Sequence, residues 1–174
     1  MRAQVVYESM FGNTAAVAEA VATGLRPSFE VTVSSVAEAV NRPAPQVDLL
    51  VVGGPTHAFG LSRTVTRRDA ADRTDGPVEI EIGIREWLDA ALPVQPPRSA
   101  AAFGTKIARP PWLPGSAAKG IAKRLRHLGY HLALAPADFL VEDMTGPLSP
   151  GELQRATEWA ARLASATPSR PDEP

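Results

Sequence analysis

The chain contains no cysteine, which excludes disulfides, thiolate metal sites, cysteine nucleophiles and cysteine-held iron–sulfur clusters together. No apolar run approaches the roughly 20 residues that span a bilayer, so no membrane partner is expected. The opening Met1-Arg2-Ala3-Gln4-Val5-Val6-Tyr7 turns polar too soon for a signal peptide, and the expectation is a soluble, cytoplasmic protein. Charge of neither sign is in excess: 18 Lys and Arg stand against 19 Asp and Glu, for a formal net charge of -1. A general nucleic-acid binder carries a basic surplus, so no nucleic-acid partner is expected. The sequence also lacks an internal repeat, a Gly-x-Gly-x-x-Gly fingerprint and a Walker loop ending in Gly-Lys-Ser/Thr.

What is present fits one globular domain of 174 residues, with 44% hydrophobic and 21% charged residues. The 17 prolines fall between periodic segments, where they punctuate the chain. Ala3 to Tyr7 reads as a buried strand, and Thr14 to Leu25 as a helix with Val17, Val21 and Leu25 on its apolar face. Glu30 to Val33 alternates as a strand does. Asp48 to Gly53 is a continuous apolar run, the signature of a parallel strand covered on both faces. Arg63 to Ile82 is polar and reads as a surface excursion, and Gly83 to Leu92 resumes helical spacing. Ser99 to Gly104 is a fourth strand, and Ser116 caps a helix that stops at Gly129. Tyr130 to Leu134 and Phe139 to Val141 are strand-like. Ser149-Pro150-Gly151-Glu152 has the form of a capping box opening the last helix.

Strand and helix thus alternate five times, which predicts a parallel sheet wrapped by helices on both faces. The domain is expected over residues 1–166, with 167–174 as a flexible tail. Ligands of such sheets bind beyond the carboxyl ends of the strands, so the loops after the first, third and fourth strands are the places for chemistry.

The first loop is Glu8-Ser9-Met10-Phe11-Gly12-Asn13-Thr14. A helix N-terminus offers free amides and positive partial charge to an anion. Ser9 and Thr14 add hydroxyls and Asn13 an amide, while Gly12 permits close backbone approach. The loop holds no Lys or Arg, which argues for a phosphate gripped by neutral donors. The bland alternative is that Asn13 and Thr14 only cap the helix. The loop after the third strand, Gly53-Gly54-Pro55-Thr56-His57-Ala58-Phe59-Gly60, offers His57 and Phe59 as flat faces for stacking. Its alternative is a glycine-rich turn with a buried Phe59. The fourth strand ends in Phe103-Gly104-Thr105, followed by a proline-stiffened stretch containing Trp112, either a stacking residue or a lid over the next helix.

Read in this order, the three loops resemble those of the flavodoxin family. That family's phosphate loop, Ser/Thr-x-Ser/Thr-Gly-x-Thr, is matched by Ser9, Gly12 and Thr14; Phe11 stands where a hydroxyl is usual. The wording of the first and third-strand loops is similar to actinobacterial-type flavodoxin-family proteins. The resemblance implies a three-layer α/β/α sandwich on a five-stranded parallel sheet of order 2-1-3-4-5, with flavin mononucleotide (FMN) as cofactor. It implies that Ser9, Gly12, Asn13 and Thr14 hold the phosphate, with Met10 and Phe11 of the same loop also against the cofactor. Pro55, Thr56, His57, Phe59 and Gly60, with Gly104, Thr105 and Trp112, would line the ring, and Gly60 would let a peptide flip on reduction. It further implies electron transfer with a redox partner protein or small-molecule acceptor. The alternatives are a small FMN-dependent NAD(P)H oxidoreductase and a flavin-free partner-binding module on the same fold.

Other constellations carry less. His127 and His131 flank a helix end and do not read as a metal pair. His57 is a candidate proton donor. Arg63, Arg67, Arg68 and Arg73 make the neighbourhood of the ring loop cationic, which favours an anionic partner or substrate unless Asp69, Asp72 and Asp75 neutralise them.

Overall fold

The computed structural model describes residues 1–40, 47–95, 98–108, 110 and 114–168. Strand β1 (Arg2–Tyr7) leads into helix α1 (Asn13–Leu25), then β2 (Glu30–Ser35), α2 (Val36–Val40) and β3 (Leu49–His57). The chain continues through β4 (Gly60–Leu61), α3 (Thr64–Ala71), α4 (Ile84–Asp89), β5 (Ser99–Ile107) and α5 (Ala117–His127). It ends with β6 (His131–Leu132), β7 (Ala137–Val141) and α6 (Glu152–Ala166).

The parallel sheet has the expected five positions in the expected 2-1-3-4-5 order: β2, β1, β3, β5, and an outer place that β6 and β7 share. β6 pairs with the start of β5, at Ser99 and Ala100, and β7 with its end, from Phe103 to Ile107. Pro136, which has no N–H to give a ladder, lies in the break between the two pieces. β4 departs from the parallel pattern by folding back on β3, with His57 opposite Gly60.

Side chains alternate across the strands, and the alternation builds two cores. Val5, Leu49, Val51, Ala101 and Phe103 face α1 and α6; Val6, Leu50, Val52, Ala100 and Ala102 face α2, α4 and α5. This is the three-layer α/β/α sandwich. α1 and α6 touch closely because residue 24 is glycine: a Cβ there would lie 2.3 Å from the Thr157 carbonyl oxygen. Phe103, Phe139 and Trp159 meet edge to face, with centroids 6.2 to 6.5 Å apart.

Two local expectations change. The excursion after β4 is not wholly surface: it contains α3, and Arg67 on that helix is fully buried. The capping box at the last helix is absent. Gly151 takes the N-cap place at φ 84°, and Glu152 turns its carboxylate to the Leu140 amide (2.6 Å) and to Arg155. The Ser149 hydroxyl is left buried without a partner among the described residues. A competing donor, the Leu140 amide of β7, captures the glutamate. Thr167, after the end of α6, is buried, and its hydroxyl donates to the Leu163 carbonyl at 2.8 Å.

Candidate functional site

The sheet register brings the loops together. Tyr7 pairs with Gly53, Gly53 with Phe103, Pro55 with Thr105, and Thr105 with Phe139, so β1, β3, β5 and β7 end side by side. Their loops enclose a cavity of about 310 Å3 at the carboxyl edge of the sheet. Its walls include Ser9, Met10, Phe11, Asn13 and Thr14 from the first loop, Pro55, Thr56, His57 and Phe59 from the second, and Thr105 from the third. Three candidates stand apart. Gly12 borders an adjoining cavity of about 830 Å3 on the far side of the first loop, while Gly60 and Gly104 border neither. Trp112 lies outside the described residues.

The first loop can receive an anion. Gly12, the N-cap of α1, has φ 86°, a left-handed conformation that glycine adopts without strain, and a Cβ there would meet nothing within 4 Å. The N–H groups of the first turn of α1 have no intrahelical acceptor. The Ser9 hydroxyl is buried and has no hydrogen-bond partner among the described residues, which is costly unless a ligand or water supplies one. The Thr14 and Thr105 hydroxyls share a buried hydrogen bond of 2.8 Å. One of the two protons makes that bond, so the other is left to donate. Asn13 is differently employed: its side-chain amide donates to the Thr145 carbonyl at 3.1 Å, tying α1 to the turn after β7.

The ring loop is a tight hairpin tip. Ala58 and Phe59 both have positive φ, 43° and 73°, in the two-residue turn joining β3 to β4. Such turns match the twist of the strands but strain residues with a Cβ, by about 1–2 kcal/mol each. The tip is clamped by Gly115, where a Cβ would lie 2.3 Å from the Phe59 carbonyl oxygen. Phe59 itself is 60% exposed, so the expectation of a buried Phe59 does not hold; it and the exposed Met144 both line the cavity. Gly60, paired in β4, has no positive φ; the strain sits at Ala58-Phe59. The Thr56 hydroxyl accepts the Ala117 amide of α5 at 3.0 Å and keeps its own proton to give. His57 is held neutral at physiological pH, because burial, helped by the nearby Arg67 charge, lowers its pKa from 6.5. That disfavours it as a proton donor. Gly104 serves packing: a Cβ there would lie 2.8 Å from the Asp138 carboxylate and 3.0 Å from the Ala118 amide nitrogen.

Beneath the first loop lies a buried polar network that the sequence does not reveal. Glu8 accepts a very short hydrogen bond from the Ser62 hydroxyl and one of 2.9 Å from the Ile84 amide. Ser62 accepts in turn from Arg67 (2.9 Å), which also pairs with Glu86 at 3.1 Å and donates to the Ile80 carbonyl at 2.7 Å. The excursion is thereby pinned under the end of β1. The predicted cationic rim is accordingly smaller than the arginine count suggests. Arg67 points inward, Arg68 faces Glu81 at 3.9 Å, and Asp69, Asp72 and Asp75 make no ion pair among the described residues.

Burial raises the Glu8 pKa above its ordinary 4.5, against the lowering effect of Ser62, Ile84 and Arg67. The folded state therefore holds this proton more tightly than the unfolded chain. The stabilisation is present in full below the ordinary value and is lost as pH rises through the raised one. Glu86 is lowered despite its own desolvation, because Arg67 and backbone donors favour its charge, and it acts in the opposite sense. Subtracting wild type from Glu8→Gln isolates Glu8. The stability of Glu8→Gln relative to wild type should rise between pH 4 and pH 8, as read by chemical denaturation at each pH. A flat difference would refute the assigned shift.

Sequence inspection missed Met144, Lys106 and Gly115 on the cavity wall. Nothing in the sequence signals Met144; it arrives because β7 ends next to β5. Among the described residues no group of three His, Asp or Glu is placed to hold a metal, and no helix is long and apolar enough to cross a membrane.

No protein-family model matches the chain, and no curated protein matches it. Solved structures do. A flavodoxin from the domain Archaea is 22% identical, with a TM-score of 0.64 over 96% of this chain and 99% of that one. A flavodoxin, WrbA-like protein from Agrobacterium tumefaciens is 20% identical, with a TM-score of 0.61 over 95% of this chain and 96% of that one. Oxidised flavodoxin 2 from Bacillus cereus is 19% identical, with a TM-score of 0.60 over 96% of this chain and 97% of that one. The fold is flavodoxin-like.

Proposed function

We propose that this chain binds flavin mononucleotide noncovalently and uses it to transfer electrons to or from a redox partner protein or small-molecule acceptor. The observation that carries the reading is the buried, partnerless Ser9 hydroxyl at the open N-terminus of α1, on the wall of a cavity at the carboxyl edge of the sheet. The residues present fit the group. Ser9, the amides around Gly12 and Asn13, and the proton left over from the Thr14–Thr105 pair would hold the phosphate. Thr56, His57 and Phe59 would line the ring, with neutral His57 able to donate from one ring nitrogen only. When bound, the flavin supplies one- and two-electron redox chemistry; the protein orients it, screens it from water and tunes it.

The larger cavity bears on the choice between carrier and NAD(P)H oxidoreductase. It shares Ser9, Met10 and Phe11 with the smaller one, but none of Thr56, His57, Phe59 or Thr105. A nicotinamide seated there would border the phosphate end and not the ring. This supports the carrier.

Titration with FMN, followed by quenching of flavin fluorescence and the visible spectrum, tests the reading. Micromolar or tighter binding is expected. Ser9→Ala should weaken it about 10-fold, the loss of one hydrogen bond to a charged acceptor at about 1.5 kcal/mol. Protein that stays colourless and leaves the fluorescence unquenched would refute it and leave the flavin-free module standing.

A further inference from the structure

The excursion after β4 brings a cation to the first loop, which has none of its own. Arg73 follows the end of α3, and its side chain is exposed. Its Nη1 lies 3.2 Å from the Met144 sulfur, across the top of the first loop. Met144 lines the smaller cavity, and the next residue, Thr145, accepts the Asn13 side-chain amide. Arg73 also borders the larger cavity together with Ser9, Met10 and Gly12. The guanidinium therefore stands where the two cavities meet, above the loop that carries the partnerless Ser9 hydroxyl.

Its bonding there is incomplete. A guanidinium has five N–H donors, and a thioether is a weak acceptor. Among the described residues no carboxylate lies within ion-pair distance of Arg73, whereas Arg67 and Arg68 each have one. A charged fork held over neutral donors, with no acceptor matching its strength, suits a phosphate, whose oxygens take such a fork in bidentate fashion.

Resting on the flavin reading above, we propose that Arg73 is a phosphate-binding residue: the excursion delivers it over the first loop as the counter-charge to the phosphomonoester of the bound nucleotide. The loop's own neutral donors fix the position of the phosphate, and Arg73 makes binding depend on its charge. Two consequences follow. Discrimination between FMN and riboflavin, which lacks the phosphate, resides partly in Arg73. The affinity for FMN weakens with added salt more steeply in wild type than in a variant without this charge.

The test titrates wild type, Arg73→Ala, Arg73→Lys and Arg68→Ala with FMN and with riboflavin at two salt concentrations, by fluorescence quenching. Arg73→Ala should lose roughly 10- to 100-fold in FMN affinity, the range for a hydrogen-bonded charge, with riboflavin unchanged. Arg73→Lys should fall between, because it keeps the charge and loses the fork. Arg68→Ala should match wild type. An unchanged ratio of FMN to riboflavin affinity in Arg73→Ala, or an equal loss in Arg68→Ala, would overturn the proposal. Melting curves confirm that the exposed substitution leaves the fold intact. If wild type binds neither flavin, the parent reading fails, and inorganic phosphate then decides for Arg73 alone. Saturable shifts of the Ser9 to Thr14 backbone amides in wild type, weakened in Arg73→Ala, would uphold the anion site. Shifts that are absent, or the same in both proteins, would overturn it.

Discussion

Replacing Arg67 by Ala is expected to destabilise the fold by about 3 kcal/mol, the cost of leaving the hydrogen-bond partners of a buried guanidinium unsatisfied. Arg67 is fully buried, and its guanidinium reaches Ser62, Glu86 and the carbonyls of Ile80 and Glu81. Alanine leaves those acceptors without the guanidinium that serves them all at once. It also removes a positive charge that offsets the burial of Glu8. Lysine is a poor substitute, because one ammonium cannot copy a planar fork that addresses several acceptors at once. Native domains are stable by only some 5–15 kcal/mol, so the variant should melt far below wild type and be cut by protease within residues 62–83 first. A loss under about 1 kcal/mol in urea denaturation would show that the network carries little of the excursion's order.

Gly53→Ala is expected to cost about 3 kcal/mol, at the upper end for overpacking a core. A Cβ at this position would lie 2.0 Å from Cζ of Phe103, its partner in the neighbouring strand, and 2.3 and 2.4 Å from the two Cε atoms. The ring cannot retreat, since Phe139 and Trp159 stand edge-on to it at 6.3 and 6.5 Å. The clash must be relieved by moving β3, which carries Pro55 and Thr56 into the cavity wall. Pairing the change with Phe103→Leu, which shortens the ring residue, should recover part of the loss. A double-mutant cycle measures the coupling, and simple additivity would contradict direct contact.

Much of the architecture was legible because it depends on periodicity. The helical spacing of Val17, Val21 and Leu25 and the unbroken run from Leu49 to Val52 are short-range properties of the chain, and both became the elements they predict. Ser116 caps α5 as read, accepting the Lys119 amide at 3.1 Å. The two loops that carry most of the candidate site were visible as punctuation after strands. Ser149 and Glu152 show the limit. The motif for a capping box is present, but an amide of β7 competes for the same carboxylate and takes it. α2 went unread because five residues hold too little periodicity to register.

Local order along the chain thus settled the alternation of elements, the sheet they form and the loops in which a ligand would sit, since each depends on neighbours a few residues away. Partnership was settled by folding. Glu8 meets Ser62 and Ile84, Asn13 meets Thr145, and Arg73 meets Met144, over separations of 54 to 132 residues in the first three and 71 in the last. Such pairs are chosen by strand register and by competition for buried donors and acceptors. Neither leaves a trace in the spacing of residues. Three of the four arginines after the ring loop make the point: alike in sequence, Arg67 became core, Arg68 a surface ion pair, and Arg73 an exposed fork resting on Met144.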